Sequence, residues 1–225
     1  MTIFDNRLIE NFLSNDEIET ILSNTTEHLT EEKCVKGIDQ LGEITRESWN
    51  IFPYHHDYKS TYDILVPKLL NEFGNNLVLN STHILNSYHE PYNVHNDVDS
   101  ANYQSYKGYN NLIPAWTFII PLHTVDSNTI TFTESDDSIK TIGEWIEKRN
   151  PPKHGIQIDE EIYNNYLSHT SRWIYDYITV EKIFPWTKGT IYASDRRKFH
   201  TSDNYPARGV KKKQAIVMWT SIRVE

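Results

Sequence analysis

Two short stretches place a histidine two residues before an aspartate: His55-His56-Asp57 and His95-Asn96-Asp97. An imidazole and a carboxylate at that spacing can bind one metal ion together, because residues i and i+2 of an extended chain project to the same side. Spacing alone decides little. With 31 acidic residues and 10 histidines in 225 positions, chance gives about one and a half His-x-acid pairs. Context separates the two. His55-His56-Asp57 directly precedes the amphipathic stretch KSTYDILVPKLLNEFGNN, where Asp57 or Ser60 would serve as a helix N-cap. That pair reads as structural. His95-Asn96-Asp97 lies in SYHEPYNVHNDVDS, after a β-type run and among turn formers, and is the stronger metal candidate.

Two imidazoles and one carboxylate on one face leave the remaining positions of an iron(II) ion open. The second imidazole must come from elsewhere. His123 follows an apolar strand, His154 and His169 lie in a helical region, and His200 ends the strand-and-bend segment KGTIYASDRRKFH. Downstream, TSDNYPARGVKKKQAIVMWTSI turns at Pro206 and Gly209 and enters another apolar strand through basic residues. Lys213 begins that strand, so its stem can be buried with its head held inward. A dicarboxylate bound to such a metal would need a fixed cation at its far end. Arg208, nearer to His200, is the rival for that role, and the choice stays open.

These residues need a frame. NFLSNDEIETILSN carries Ser14 three residues before Glu17, a capping box, with Ile18, Ile21 and Leu22 at helical spacing, which predicts a helix over 15–28. A second helix is expected before Gly74-Asn75-Asn76, with Leu65, Leu69, Leu70 and Phe73 on one side; Pro67 either splits it or marks a late start. From residue 77 the texture changes to β-type runs: LVLNSTHILNSY, AWTFIIPLHTV, NTITFTES, KGTIYAS and QAIVMWTSIRV. Such runs between Asn, Gly, Pro and Asp clusters describe a mainly β sandwich or barrel with flanking helices. Helical periodicity in SIKTIGEWIEKRN and DEEIYNNYLSHTSRWIYDYI reads as an insertion. The expected organisation is one domain over 1–225: helical over 1–76, a β core over 77–137 and 188–225, and a helical insertion over 138–187. Trp145, Trp173, Tyr175 and Tyr177 are candidates to line a lid there, and the Tyr-rich stretch after Asp97 to cover the metal mouth.

Composition narrows the functional class. A formal charge of −9 argues against a general nucleic-acid binder. Cys34 is alone, so no internal disulfide is expected and a reducing, cytoplasmic setting is the simplest reading. The start MTIFDNRLIENF lacks a signal-peptide layout, and no apolar run is long enough for a membrane span.

The ordered set Tyr88, His95-x-Asp97, His200 and Lys213-x-Ala215-Ile216-x-x-Trp219 resembles the Fe(II)/2-oxoglutarate-dependent dioxygenases. In layout it is nearest to the prolyl-4-hydroxylase-like branch with its small bacterial and phage members, and LIENFLSNDEIETIL is similar to that branch's opening helix. The resemblance implies a double-stranded β-helix, or jelly roll, with cupin-like topology. It implies Fe(II) on His95, Asp97 and His200, and 2-oxoglutarate held by Lys213 or Arg208 with a hydrogen bond from Tyr88. It further implies O2 as co-substrate, ascorbate as an optional reductant, and hydroxylation of a C–H bond in a small molecule, amino acid or peptide. The turn in IIPLHTVDSNTITF lacks the Gly-Gly-Glu-Thr common in that branch, so no particular substrate carries over. The competing reading is a non-catalytic cupin- or lectin-like binding module, which predicts no 2-oxoglutarate affinity and no effect of Lys213→Ala.

Overall fold

The computed structural model describes residues 4–51, 58–98, 111–155 and 157–224. His55-His56-Asp57 and the tyrosine-rich stretch after Asp97, up to residue 110, lie outside them.

The capping box forms: the Ser14 hydroxyl accepts from the Glu17 amide and the Glu17 carboxylate accepts from the Ser14 amide, opening α1 (Asn15–Thr26). The second helix, α2 (Lys59–Phe73), runs through Pro67 without splitting or starting there. Leu65, Leu69 and Phe73 are buried around the proline, and this tertiary packing outweighs the lost backbone bond. Its N-cap is Tyr58 rather than Ser60, and Gly74, at φ 94°, ends it.

The first 76 residues are not only helical. They also supply β1 (Arg7–Ile9), β2 (Cys34–Ile38) and β3 (Ile44–Asn50). The β2–β3 turn is held by the Asp39 carboxylate, which accepts from the amides of Leu41 and Glu43 at 2.8 and 2.9 Å. These strands join β4 (Leu77–Ser87), β5 (Leu112–Pro121), β8 (Ile191–Asp195) and β10 (Lys213–Arg223) in an antiparallel sheet of order β1-β8-β5-β10-β4-β3-β2. A smaller sheet, β7-β6-β9, contains β6 (Asn128–Ser135), β7 (Val180–Pro185) and β9 (Lys198–Ser202). His95 bridges His200 on β9, so the His95–Asp97 segment extends this sheet.

One face of the large sheet, with Ile84, Phe118, Ile120, Ile216 and Met218, packs on Ile18, Ile21, Leu65 and Leu69 of the helices. Its other face, with Ala215, Val217 and partly buried Leu85, Ile119 and Trp219, turns toward Trp186 and the small sheet. This two-layer β sandwich is a jelly roll.

The insertion is helical only in part. It holds α3 (Ile142–Arg149), a single turn Glu160–Ile162 continuing into a π turn Tyr163–Leu167, and a 3-10 turn Arg172–Asp176. The expected boundary at 187 is corrected by β7, which pairs with β6. Ile142, Leu167, Ile174 and Tyr175 build a second core with Val94, Ile130, Phe132 and Phe199. Trp145 meets the Phe199 ring edge-on at 5.5 Å and Tyr175 is buried, so these two aromatics pack the insertion onto the small sheet. Trp173 remains half exposed. Among the described residues no helix is long and apolar enough to cross a membrane.

Candidate functional site

The alternation of an extended chain sorts the segment around His95. Val94, Asn96 and Val98 are buried toward the second core, while His95 and Asp97 face the sandwich interior. Backbone bonds fix this register: His95 and His200 exchange N–H···O bonds of 3.0 and 2.7 Å, and the Asp97 amide donates to the Arg196 carbonyl at 2.9 Å. Fully buried Asn96 donates from its side-chain amide to the carbonyls of Asp136 and Ile139 at 2.9 and 2.8 Å. The residue between the two candidate ligands thus locks them in place.

His200 reaches the same point from the opposite direction. The bend read after KGTIYAS leads into a separate short strand that carries His200. The chain leaves β8 at Asp195, turns through Arg196 and Arg197, and enters β9 of the other sheet. Arg197 donates from Nε to Asp195 Oδ1 at 2.7 Å, and both side chains are buried. Arg196 ties the turn down by donating to the Asp97 carbonyl at 3.0 Å and the Thr220 carbonyl at 3.2 Å.

The ligating atoms of His95, Asp97 and His200 all lie within 4.8 Å of one another, with His200 Nε2 at 3.3 Å from Asp97 Oδ2. His95 Nδ1 lies 2.7 Å from the Asn93 carbonyl and His200 Nδ1 lies 3.3 Å from the Lys198 carbonyl. Carbonyls only accept, so each Nδ1 carries a proton, which makes Nε2 the nitrogen through which each ring would bind a metal. The remaining Asp97 contacts are the Thr117 hydroxyl at 2.6 Å on Oδ2 and the Trp219 indole. Burial raises the Asp97 pKa, but the two imidazoles and these donors outweigh it and hold the carboxyl below its ordinary value. Burial, followed by the nearby His200, lowers His95 to about 4, so it is neutral at physiological pH. Two imidazoles and a carboxylate on one face form a donor set that fits iron(II).

A cation waits further along the same interior. Lys213 is buried at the start of β10; its Nζ donates to Ser127 Oγ at 3.0 Å and Ser202 Oγ at 3.2 Å. It also lies 4.1 Å from the Trp186 ring centroid and 4.7 Å from that of Tyr205. Ser202 and His200 share one side of β9, roughly 6.6 Å apart along an extended strand. The triad and the ammonium therefore open onto one surface of β9.

No protein-family model matches the sequence, and no curated protein matches it. Solved structures do. The carbocyclase SnoK from nogalamycin biosynthesis, an alpha ketoglutarate-dependent non-heme protein, aligns over 96% of this chain and 79% of its own, with TM-score 0.58 and 14% identity. HygX from Streptomyces hygroscopicus, solved with nickel and 2-oxoglutarate, covers 97% of this chain and 83% of its own at TM-score 0.54 and 10% identity. The viral collagen prolyl hydroxylase of Paramecium bursaria Chlorella virus-1, solved with 2-oxoglutarate, covers 96% of each chain at TM-score 0.50 and 10% identity. The fold is that of the Fe(II)/2-oxoglutarate oxygenases.

Within this oxygenase fold the other sequence candidates take up different places. Tyr88 does not face the interior. Its hydroxyl donates to Glu47 and accepts from Asn86 at 3.4 Å, and Glu47 and Asn86 pair across β3 and β4 on the opposite face from Ser87 and Lys213. Arg208 is committed elsewhere, to Asp203, Asp126 and the Asn165 carbonyl. Of the alternative imidazoles, His123 is at 3.3 Å from the Lys212 carbonyl, His154 at 3.3 Å from Glu134, and His169 at 3.4 Å from the Thr201 hydroxyl. None joins the triad. Sequence reading missed Ser127 and Ser202, because a serine carries no signal until a buried cation is beside it. It also missed Thr117, which reads as one more strand residue.

Proposed function

We propose that this chain is an Fe(II)- and 2-oxoglutarate-dependent oxygenase that oxidises an unactivated C–H bond of a small-molecule, amino-acid or peptide substrate. One observation carries the reading: the ligating atoms of His95, Asp97 and His200 converge within 4.8 Å of one another, while buried Lys213 lies along the same strand surface. His95, Asp97 and His200 are the iron ligands in this reading, and Lys213 is the anchor for the far carboxylate of 2-oxoglutarate. When bound, iron and 2-oxoglutarate supply the oxidation, with 2-oxoglutarate decarboxylated to succinate and CO2 as O2 is consumed.

The protein's own residues do the rest. The Asn93 and Lys198 carbonyls orient the two imidazoles, and Thr117 and Trp219 orient the Asp97 carboxylate that with them would hold the iron. Ser127 and Ser202 hold the ammonium in line. Trp186 and Tyr205 keep water from it, which strengthens its pairing with a carboxylate. Tyr88 has no part in this pocket, and Arg208 supports its wall through Asp203. Hydroxylation is the outcome favoured here, although the neighbouring folds include a carbocyclase as well as a prolyl hydroxylase.

Succinate formation tests the proposal. Protein incubated with Fe(II), 2-oxoglutarate and O2 should release succinate, and His95→Ala or Asp97→Ala should abolish release with an unchanged circular dichroism spectrum. Iron-dependent succinate formation retained in both variants would sink the assignment.

A further inference from the structure

The interior face that holds Lys213 carries a second cation, Arg46 on β3. Arg46 pairs across to Ser87, which pairs across to Lys213, so all three share one face on adjacent strands. Two strand spacings set the Arg46 and Lys213 backbones about 10 Å apart. Their heads then diverge. Lys213 turns to the small sheet at Ser127 and Ser202, whereas the Arg46 guanidinium donates to the Tyr92 hydroxyl and lies 5.2 Å from the Tyr92 ring centroid. The Tyr92 ring is itself 5.2 Å from the His95 ring. Arg46 therefore lies beside the triad across the Tyr92 ring, at the same strand level as Lys213 but turned to a different wall of the interior.

Among the described residues Arg46 has no carboxylate partner, and its buried Nε has no hydrogen-bond partner. Its strand neighbour Glu47 is taken by Tyr88 and Asn86 on the other face. The nearby interior side chain that could share its charge, His83, is bonded to Ser48 and Ser81 and held neutral by burial. A half-buried guanidinium with open donors is costly unless a ligand completes it. A planar guanidinium fork pairs bidentately with two oxygens of an anionic group; one such cation balances the single charge of a carboxylate but only part of a phosphate dianion's.

We propose that Arg46 is a specificity residue that anchors a carboxylate on the substrate beside the His95–Asp97–His200 site. This rests on the oxygenase reading and narrows its substrate class to carboxylic acids.

The test uses anaerobic protein loaded with Fe(II) and 2-oxoglutarate. The iron-to-2-oxoglutarate charge-transfer band reports that site, and saturation-transfer NMR reports binding of phenylacetate, phenylacetamide and phenyl phosphate. Wild type should bind phenylacetate in preference to the other two. Arg46→Gln should lose at least tenfold in phenylacetate affinity while keeping the band and its 2-oxoglutarate titration, which also shows that the variant folds. Equal binding of acid and amide, preference for phenyl phosphate, or unchanged phenylacetate affinity in Arg46→Gln would overturn the inference alone. So would weakened 2-oxoglutarate binding in that variant, which would assign Arg46 to the cosubstrate. No band in wild type would remove the oxygenase reading and this inference with it.

Discussion

A lysine buried among two aromatic rings and two hydroxyls gains little by being charged unless an anion arrives. Burial, partly countered by Asp203 and reinforced by Arg208, lowers Lys213 from 10.5 to about 7. The free protein therefore holds this ammonium only half protonated near neutral pH, while a bound carboxylate favours the charged form. Binding takes up a proton above that pH, so 2-oxoglutarate affinity should fall as pH rises, by roughly twentyfold from pH 6.5 to pH 8.5. Spectroscopic titrations at the two pH values check this, and a flat profile would mean that Lys213 is not the anchor. At this scale the sequence was partly legible. His95 and Asp97 stand out as candidate ligands because a histidine and an aspartate two residues apart on an extended segment leave a local signature, and Lys213 as a candidate anchor because it opens an apolar strand. Tyr88 could not be placed, because which face a side chain takes at the end of β4 is set by pairing with β3, far away in sequence. Arg46 was invisible for a related reason: ITRESWN alternates with polar residues because one of its faces lines a polar interior rather than a core.

The elements that carry the ligands depend on a few non-local contacts. The β8–β9 turn, which swings the chain from the large sheet to the small one, is braced by the buried Asp195–Arg197 pair. Asp195→Ala leaves the guanidinium buried without its carboxylate and should cost about 3–5 kcal/mol in denaturant unfolding. Wild-type stability in that variant would show that the turn is held by its backbone alone. Gly189, just before β8, sits at φ 76°, and a Cβ there would lie 2.4 Å from the Leu13 carbonyl oxygen. Gly189→Ala should therefore lose about 1–3 kcal/mol or more of stability. A thermal midpoint equal to wild type would mean that the N-terminal segment shifts freely. The sequence showed the runs that became β4, β6 and β10, whose alternating or apolar patterns are strong. It obscured β7, because VEKIFP lies among helical signals, and β9, because KFHTS is too short to separate from the run before it.

Across the whole molecule, a jelly roll follows from two requirements the sequence meets together. Ile84, Phe118, Ile216 and Met218 give the large sheet an apolar outer face that must be covered, and α1 and α2 cover it. The inner face sets Thr117, Ser87, Arg46 and Lys213 beside the apolar Ala215, Val217 and Trp219. The small sheet encloses it, backed by the insertion's own core, and the proposed function puts a charged ligand there. The helical texture of the front and of the insertion was readable from periodicity, but their strands were not, since strands at a sheet's edge or between helices draw their stability from partners far along the chain. The proposed function requires that this enclosed face hold iron at one end and an ammonium anchor at the other. The most direct measurement is a titration of 2-oxoglutarate into anaerobic, Fe(II)-loaded protein, followed by the visible metal-to-ligand charge-transfer band, with His200→Ala and Lys213→Ala alongside. The account predicts a band in wild type, none in His200→Ala, and a much weaker affinity in Lys213→Ala. Folded, iron-replete wild-type protein that gives no band would contradict it.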